Sequence, residues 1–527
     1  MSTLLSQTSN AVANNRVAHV SYDLRKLELC VPFWQAFTAF RKQGHAFLLD
    51  SSLTGVECGR YSFIGGAPVA IFQAHRIVPC STPFEAEIEI RRFRSTAGEV
   101  HKSGPELEQD RGDAISALRR LLQQYAINFP KEASRRFPFL GGAVGFFGYE
   151  SGNWSGPGGS LKNLENTKIP DIYFAIYDRV LCHDTISEET YLSVVGRGSS
   201  QVSATQAIDR EVQEMQDTIR NDLSVWQSSS RSDRNEESLA NEVHYQAVAS
   251  SHRSDFDQAG YCDAVRTIRN HIEAGDVYQA CMTQRFQAEW GNHDPWQLYA
   301  SLRARNPAPF ACFLQTPSFQ VVSASPERYL AVDRSGKAES RPIKGTRPRG
   351  EDPQQDAALR GELAASEKDQ AENVMIVDLV RNDFGRVCRF GSINVSRLMH
   401  IETYATVFQM VSTVSGYLAT DRDALDLIRA TFPGGSMTGA PKIEAMKILN
   451  QIEPVRRGIY SGAIGYIDYA GAMDLSMVIR SLIIEEDRIL YHAGGGILAD
   501  SSPEDEYQES LDKVVALQAA LAKVCIE

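Results

Sequence analysis

The sequence predicts an α+β fold, and three observations carry the prediction. Up to about residue 196 the chain alternates short apolar strands with glycine-rich turns. Beyond about residue 258, strands alternate with amphipathic helices and read as long antiparallel sheets interrupted by helices. Between these parts, residues 227–257 are serine-rich and charged, the composition of a mobile linker. The expected organisation is a sheet-rich domain at 1–226, a linker at 227–257 and a second domain at 258–527. No internal repeat recurs at a fixed period.

Taken in order, strands are expected at 46–50, 172–177 and 190–195, each a run of apolar residues bounded by turn formers. Ile208, Val212, Met215 and Ile219 recur at helical spacing and predict a helix over 203–226. A second amphipathic helix covers 261–273, ends at Gly275 and leads into a strand at 277–286. Strands at 310–315 and 320–324 precede a turn at 341–350, read RPIKGTRPRG. One long helix is expected over 355–380, with Leu359, Leu363, Val374, Ile376, Val377 and Val380 opposite a mostly acidic face. Strands follow at 462–468, 476–484 and 489–493. A last helix covers 503–524, its start marked by Pro503 after two serines.

Composition narrows the function. With 54 Lys and Arg against 66 Asp and Glu, the net charge of −12 repels nucleic acid and anionic membrane surfaces, so neither is expected as a partner. An anionic ligand must be held by local cations. Nine cysteines without a CxxC pair read as reduced thiols. The first residues carry neither a basic leader nor a long apolar core, and no stretch reaches spanning length, so the expected location is cytoplasmic.

Four groups of residues could carry chemistry. Lys344 sits in the 341–350 turn close to Arg347 and Arg349, whose charge would favour the neutral amine and hence a nucleophile; an anion clamp or a plain basic loop are the alternatives. Asp369 with Glu372, and Glu506 with Glu509, are pairs three residues apart on helices, so each pair shares a face. Two such faces suit Mg²⁺, with Glu372 and Glu509 as direct ligands and Asp369 and Glu506 through water; solvated helix faces are the alternative. The run at 434–442, which includes Ser436, ends at a helix whose first position is taken by Pro441, an anion cradle by its free backbone N–H groups. Gly494, Gly495 and Gly496 allow close approach to backbone amides, or simply make a turn. Arg480, alone in the apolar strand MVIRSLI, requires an anionic partner, either a protein or a substrate carboxylate. The chain has no Gly-x-Cys-x-Gly elbow, so if its reaction consumes amide nitrogen it is not expected to release it from glutamine by itself.

These segments together resemble the chorismate-utilising enzymes. The likeness lies in GDVYQACMTQRF (275–286), SPER (325–328), the lysine turn, AENVMIVDLVRND (371–383), 433–442, YSGAIGY (460–466) and 494–509. The resemblance implies large antiparallel sheets packed as a sandwich with helices outside. It implies further that Gln279, where water-using members carry a lysine, leaves ammonia as the external nucleophile. Lys344 stands where aminodeoxychorismate-forming members carry lysine and anthranilate-forming members alanine. By that resemblance Lys344 attacks ring C2 of chorismate, ammonia then enters at C4 and expels it, and Glu327 protonates the departing hydroxyl. Mg²⁺ on Glu372 and Glu509 would neutralise the ring carboxylate, while Arg480 and Tyr460 would grip the side-chain carboxylate. Gly345, Thr346, Ser436, Gln409 and the glycine run would complete the pocket. Ammonia would come from a separate glutamine amidotransferase small subunit, and the product would serve 4-aminobenzoate and folate synthesis. Asp50 and Ser51, with Pro309 and Phe310, are similar to a tryptophan pocket of the family. Gln409 departs from the histidine general at its position, and Ala280, Cys281 and Met282 replace Val-Asn-Leu. An anthranilate-forming enzyme, and a catalytically silent relative that binds tryptophan or the amidotransferase, are the competing expectations.

Overall fold

The computed structural model describes the chain except residues 1–3, 14–15, 55–57, 78–83, 95–103, 153–166, 230–251, 405–406 and 527. Two large antiparallel sheets, of 13 and 12 strands among the described residues, face one another. The layer between them is aromatic: Phe63 meets Tyr466 edge-on at 5.7 Å, and Phe146 meets Phe319 at 5.8 Å. Edge-to-face rings of this size supply both apolar area and geometric preference, so they hold the sheets in one register. Ile172–Tyr177 is buried at every position, as its unbroken apolar run requires for a strand covered on both faces.

A second apolar cluster covers the outer face of the first sheet, where Phe37, Trp296, Tyr299 and Leu517 from helical segments pack on Phe313 and Leu482. These helices run at Phe33–Gln43, Pro295–Arg305 and Val515–Ile526. No described helix is long and apolar enough to cross a membrane.

The strand order departs from the expected two-domain division. Ala46–Asp50 pairs with Phe310–Gln315 in the first sheet, and Gly142–Phe147 pairs with Ala463–Asp468 in the second. Both sheets are therefore shared by the 1–226 and 258–527 segments. Of the expected linker, residues 227–229 belong to the helix Gln201–Ser229, and Arg253–Ser254 pairs with Gln279–Glu289. Residues 230–251 lie outside the described residues.

Several expected elements are divided. The helix over 355–380 is two, Pro353–Ala365 and Glu367–Gly385, because the Ser366 side chain caps the second by accepting from the Asp369 N–H at 3.3 Å. The last helix is likewise two, Pro503–Asp512 and Val515–Ile526. Pro441 is the cap rather than the first residue of Lys442–Ile452. The lysine turn is a strand, Ile343–Pro348, bulged between Ile343 and Thr346, with Gly345 at φ +82.

The division that shapes the site is in 476–484. Met473–Met477 pairs within the second sheet, while Ser481–Glu485 pairs within the first. The chain changes sheets across 478–480, and Arg480 takes φ +50 there. A second crossing lies beside it, between Phe319–Ser325 of the first sheet and Arg328–Val332 of the second, with Glu327 in the connection. The crossings are tied together: Ser325 Oγ donates to the Met477 carbonyl at 2.6 Å, the Met477 N–H to the Glu327 carbonyl at 3.0 Å, and the Ala324 N–H to the Arg480 carbonyl at 3.1 Å.

Candidate active site

The crossings open onto a cavity of about 870 Å³. Glu327 and Arg480 line it from the crossings, and Lys344, Gly345 and Thr346 from the bulged strand. Asp369, Glu372, Glu506 and Glu509 enter from two helices, and Gln409, Ser436, Tyr460 and Gly494–Gly496 complete it. Gln279 is buried behind this wall and donates its amide to Glu372. Gly496 is required by that contact, since a Cβ there would overlap both the Gln279 amide and the Glu372 carboxylate.

Lys344 Nζ donates to Glu372 Oε1 at 2.6 Å. Burial pulls its pKa down, but Glu372, Cys281 and Glu327 outweigh burial and hold it above its ordinary value. The expected push from the two arginines does not arise. Arg347 is engaged by Glu362 at 2.7 Å and Asp369 at 3.2 Å, and Arg349 by Asp356 at 2.7 Å. The resting amine is a protonated ammonium paired with Glu372, which comes from a later helix that a reading of adjacent residues could not include.

Glu327 is buried, which pushes its carboxyl up to about 7 against the pull of Lys344, a hydrogen bond from Ser436, the Ile343 backbone and Arg480. A carboxylic acid that holds its proton near neutrality can donate it. Burial also lowers the pKa of Arg480, with Glu327 opposing, and the guanidinium makes no ion pair among the described residues. An arginine that lines a cavity without an ion pair can receive an anion there.

The acidic helices face each other across the glycine run. A Cβ on Gly495 would lie 2.9 Å from Glu506 Oε2 and 3.6 Å from Glu509 Oε1. Burial raises the Glu506 carboxyl, while at Glu509 it is outweighed by Lys513, 2.7 Å away, and by Lys368, so that carboxyl sits below its usual range. Lys513 also donates to the Gly494 carbonyl at 2.8 Å. Among the described residues, no three His, Cys, Asp or Glu side chains gather closely enough to form a metal cage. Mg²⁺ takes only one or two carboxylates plus substrate oxygens and water, and Glu372 and Glu509, which both line this cavity, could supply those carboxylates.

Asp50, Ser51, Pro309 and Phe310 line a different cavity, of about 670 Å³, between the sheets. Asp50 Oδ2 already accepts from Tyr299 Oη and Arg303 Nε, each at 2.7 Å.

The chorismate binding enzyme family model matches residues 86–519. The chain belongs to the chorismate binding enzymes. Among similar members, aminodeoxychorismate synthase component 1 of Bacillus subtilis is 37% identical over 422 residues, 80% of this chain and 84% of that protein. The chloroplastic aminodeoxychorismate synthase of Arabidopsis thaliana is 37% identical over 482 residues, 91% of this chain, and the chain spans about half (50%) of its length. The crystal structure of anthranilate synthase component I from Streptococcus pneumoniae superposes with a TM-score of 0.66 at 27% identity, covering 87% of this chain and 92% of that one. These likenesses bear out the α+β architecture of two large antiparallel sheets with helices.

Sequence reasoning missed several residues of this chorismate binding enzyme. Lys513 was readable as an i+4 partner of Glu509. His492 lines the cavity but lies in a segment read only as an apolar strand, and Cys281, a departure from the family pattern, was not placed in the site. Arg457, 2% exposed, pairs with Glu453 at 2.6 Å and donates to the carbonyls of Met437 and Cys281, each at 2.6 Å. It joins the glycine-rich loop to the strand Gln279–Glu289, a role with no local signature.

Proposed function

We propose that the protein converts chorismate and ammonia to 4-amino-4-deoxychorismate. The observation that carries the reading is one cavity lined by both a half-buried lysine and a carboxylic acid held near neutrality. Lys344 would bond to ring C2 as the C4 hydroxyl leaves with the proton of Glu327; ammonia would then bond at C4 and the C2–N bond to lysine would break. Attack needs the free amine, so the proton that Lys344 shares with Glu372 has to leave first. Arg480 and Tyr460, which line the same cavity, would take the substrate's side-chain carboxylate. Glu372 and Glu509 would hold Mg²⁺, which when bound supplies neutralisation of the ring carboxylate. Ammonia would be delivered by a separate glutamine amidotransferase subunit, consistent with the component 1 name of the Bacillus subtilis relative. The Asp50 cavity, where aromatic side chains such as Phe310 and Tyr466 stand among charged ones that include Asp50, Asp333, Asp474 and Arg328, is the proposed place for tryptophan.

The anthranilate-forming reading is favoured by the Streptococcus pneumoniae structure and opposed by Lys344. Chorismate, Mg²⁺ and an ammonium salt decide between them. Product that becomes 4-aminobenzoate only after a lyase is added supports the proposal, whereas direct anthranilate and pyruvate release overturns it. A protein that turns over no chorismate would leave only the silent reading. Intact mass after incubation with chorismate and no ammonia should show an adduct that Lys344→Ala abolishes.

A further inference from the structure

Behind the wall of the catalytic cavity stands a residue with no part in the chemistry above. Arg457 is buried, and each nitrogen of its guanidinium donates. Nε and Nη2 donate to the Glu453 carboxylate at 2.9 and 2.6 Å. Nη2 also donates to the Cys281 carbonyl and Nη1 to the Met437 carbonyl, each at 2.6 Å. The Arg457 carbonyl in turn accepts from the Tyr460 N–H at 3.2 Å. Cys281, Met437 and Tyr460 all line the cavity. Glu453 Oε1 accepts as well from the Thr283 N–H and hydroxyl, each at 3.0 Å, so the pair is tied twice to the strand Gln279–Glu289.

A buried ion pair is a poor source of stability, because desolvating two charges offsets most of their attraction. What a planar fork of fixed donors supplies is geometry. The loop it grips has need of that. Gly434 and Gly435 give the backbone there more freedom to lose than other residues would. The loop's internal bonds close on the Gly434 and Gly435 carbonyls. Toward the strand it is held by the Met437 carbonyl on Arg457 and by the Thr438 carbonyl, which accepts from the Cys281 N–H at 2.8 Å. Ser436, just before the gripped carbonyl, carries the hydroxyl that donates to Glu327. The charged groups that face Glu327 are Lys344 from the bulged strand and Arg480 from the neighbouring crossing.

We propose that Arg457 is a positioning residue: by fixing the Met437 and Cys281 carbonyls it holds the loop so that the Ser436 hydroxyl stays on Glu327. The inference rests on the chorismate reading above. Its test is the pH profile of kcat/KM for chorismate, with Mg²⁺ and an ammonium salt, across the neutral and alkaline range. Ser436→Ala removes a donor that favours the ionised acid, so the alkaline limb should move up by roughly 0.5–1 pH unit, the worth of one hydrogen bond. Arg457→Lys keeps the charge against Glu453 but has a single nitrogen in place of the fork, and should move the limb the same way. Combining Arg457→Lys with Ser436→Ala should move it no further than Ser436→Ala alone, because both act through one hydroxyl.

Glu453→Gln with Arg457→Met supplies a second route. It removes both charges together, so the fold keeps no unpaired one, and it should raise the limb as Arg457→Lys does. A limb that fails to rise in Ser436→Ala or in a folded Arg457 variant overturns the proposal, even where the urea midpoint falls, since a merely structural arginine would lower the midpoint alone. Additive shifts from Arg457→Lys and Ser436→Ala, or failure of both Arg457 variants to fold, overturn it equally. A wild type that turns over no chorismate at any pH overturns the functional reading and this inference with it.

Discussion

Glu327 sets the pH behaviour at the scale of single residues. Its carboxyl titrates at about 7 in the folded protein against 4.5 ordinarily, so the folded state keeps a proton that the unfolded chain releases between those values. Its contribution to stability is thus complete below pH 4.5 and disappears as pH rises through 7. Glu327→Gln should be more stable than wild type at pH 8, by on the order of 3 kcal/mol, in urea titrations at that pH. As the proposed acid, Glu327 must be protonated to act, so kcat/KM should fall above about pH 7. The glutamine variant should lose that limb and, as is typical of a missing general acid, roughly 100- to 10,000-fold in kcat. Lys344→Ala should stop formation of 4-amino-4-deoxychorismate and leave slow anthranilate-type chemistry at C2, separated by chromatography of the products. The identities of these two residues were legible in the SPER and PIKGT segments. Their electrostatics were not: Glu372 lies 28 positions from Lys344, and Asp356 and Glu362, which occupy the neighbouring arginines, also come from a later helix.

Elements place these groups, and their boundaries decide the geometry. Runs such as Ile172–Tyr177 and Phe310–Gln315 were legible because a strand covered on both faces must be apolar throughout. The same rule concealed the crossing at 478–480, since residues of both sheets are equally buried and the run MVIRSLI reads as one strand. The break at Ser366 did carry a signal, a serine followed three residues later by an acid, which the continuous helical pattern masked. Ser366→Ala should lower stability by about 1 kcal/mol through loss of the cap, seen as a shifted denaturation midpoint. Ser325→Ala removes the hydroxyl that ties the crossings at the Met477 carbonyl. It should cost roughly 1–3 kcal/mol, the usual range for a buried partner left unmet, and lower activity as well because Glu327 follows two residues later.

At the scale of the whole molecule, each sheet interleaves strands from early and late in the chain. Residues 1–229 expressed alone should lack fixed tertiary packing by near-ultraviolet circular dichroism, and so should 252–527, with signal restored on mixing. Either fragment regaining native packing alone would contradict the shared-sheet architecture. That sharing was invisible in the sequence, because apolar alternation gives a strand but not its neighbour across more than 200 residues. The two places where the backbone passes from one layer to the other carry a further consequence. The proposed acid and its arginine belong to neither layer but to the stitches between them. Any shear of one face of the sandwich against the other would change their spacing directly, so the proton donor and the anion receptor report on how the two halves of the molecule are seated.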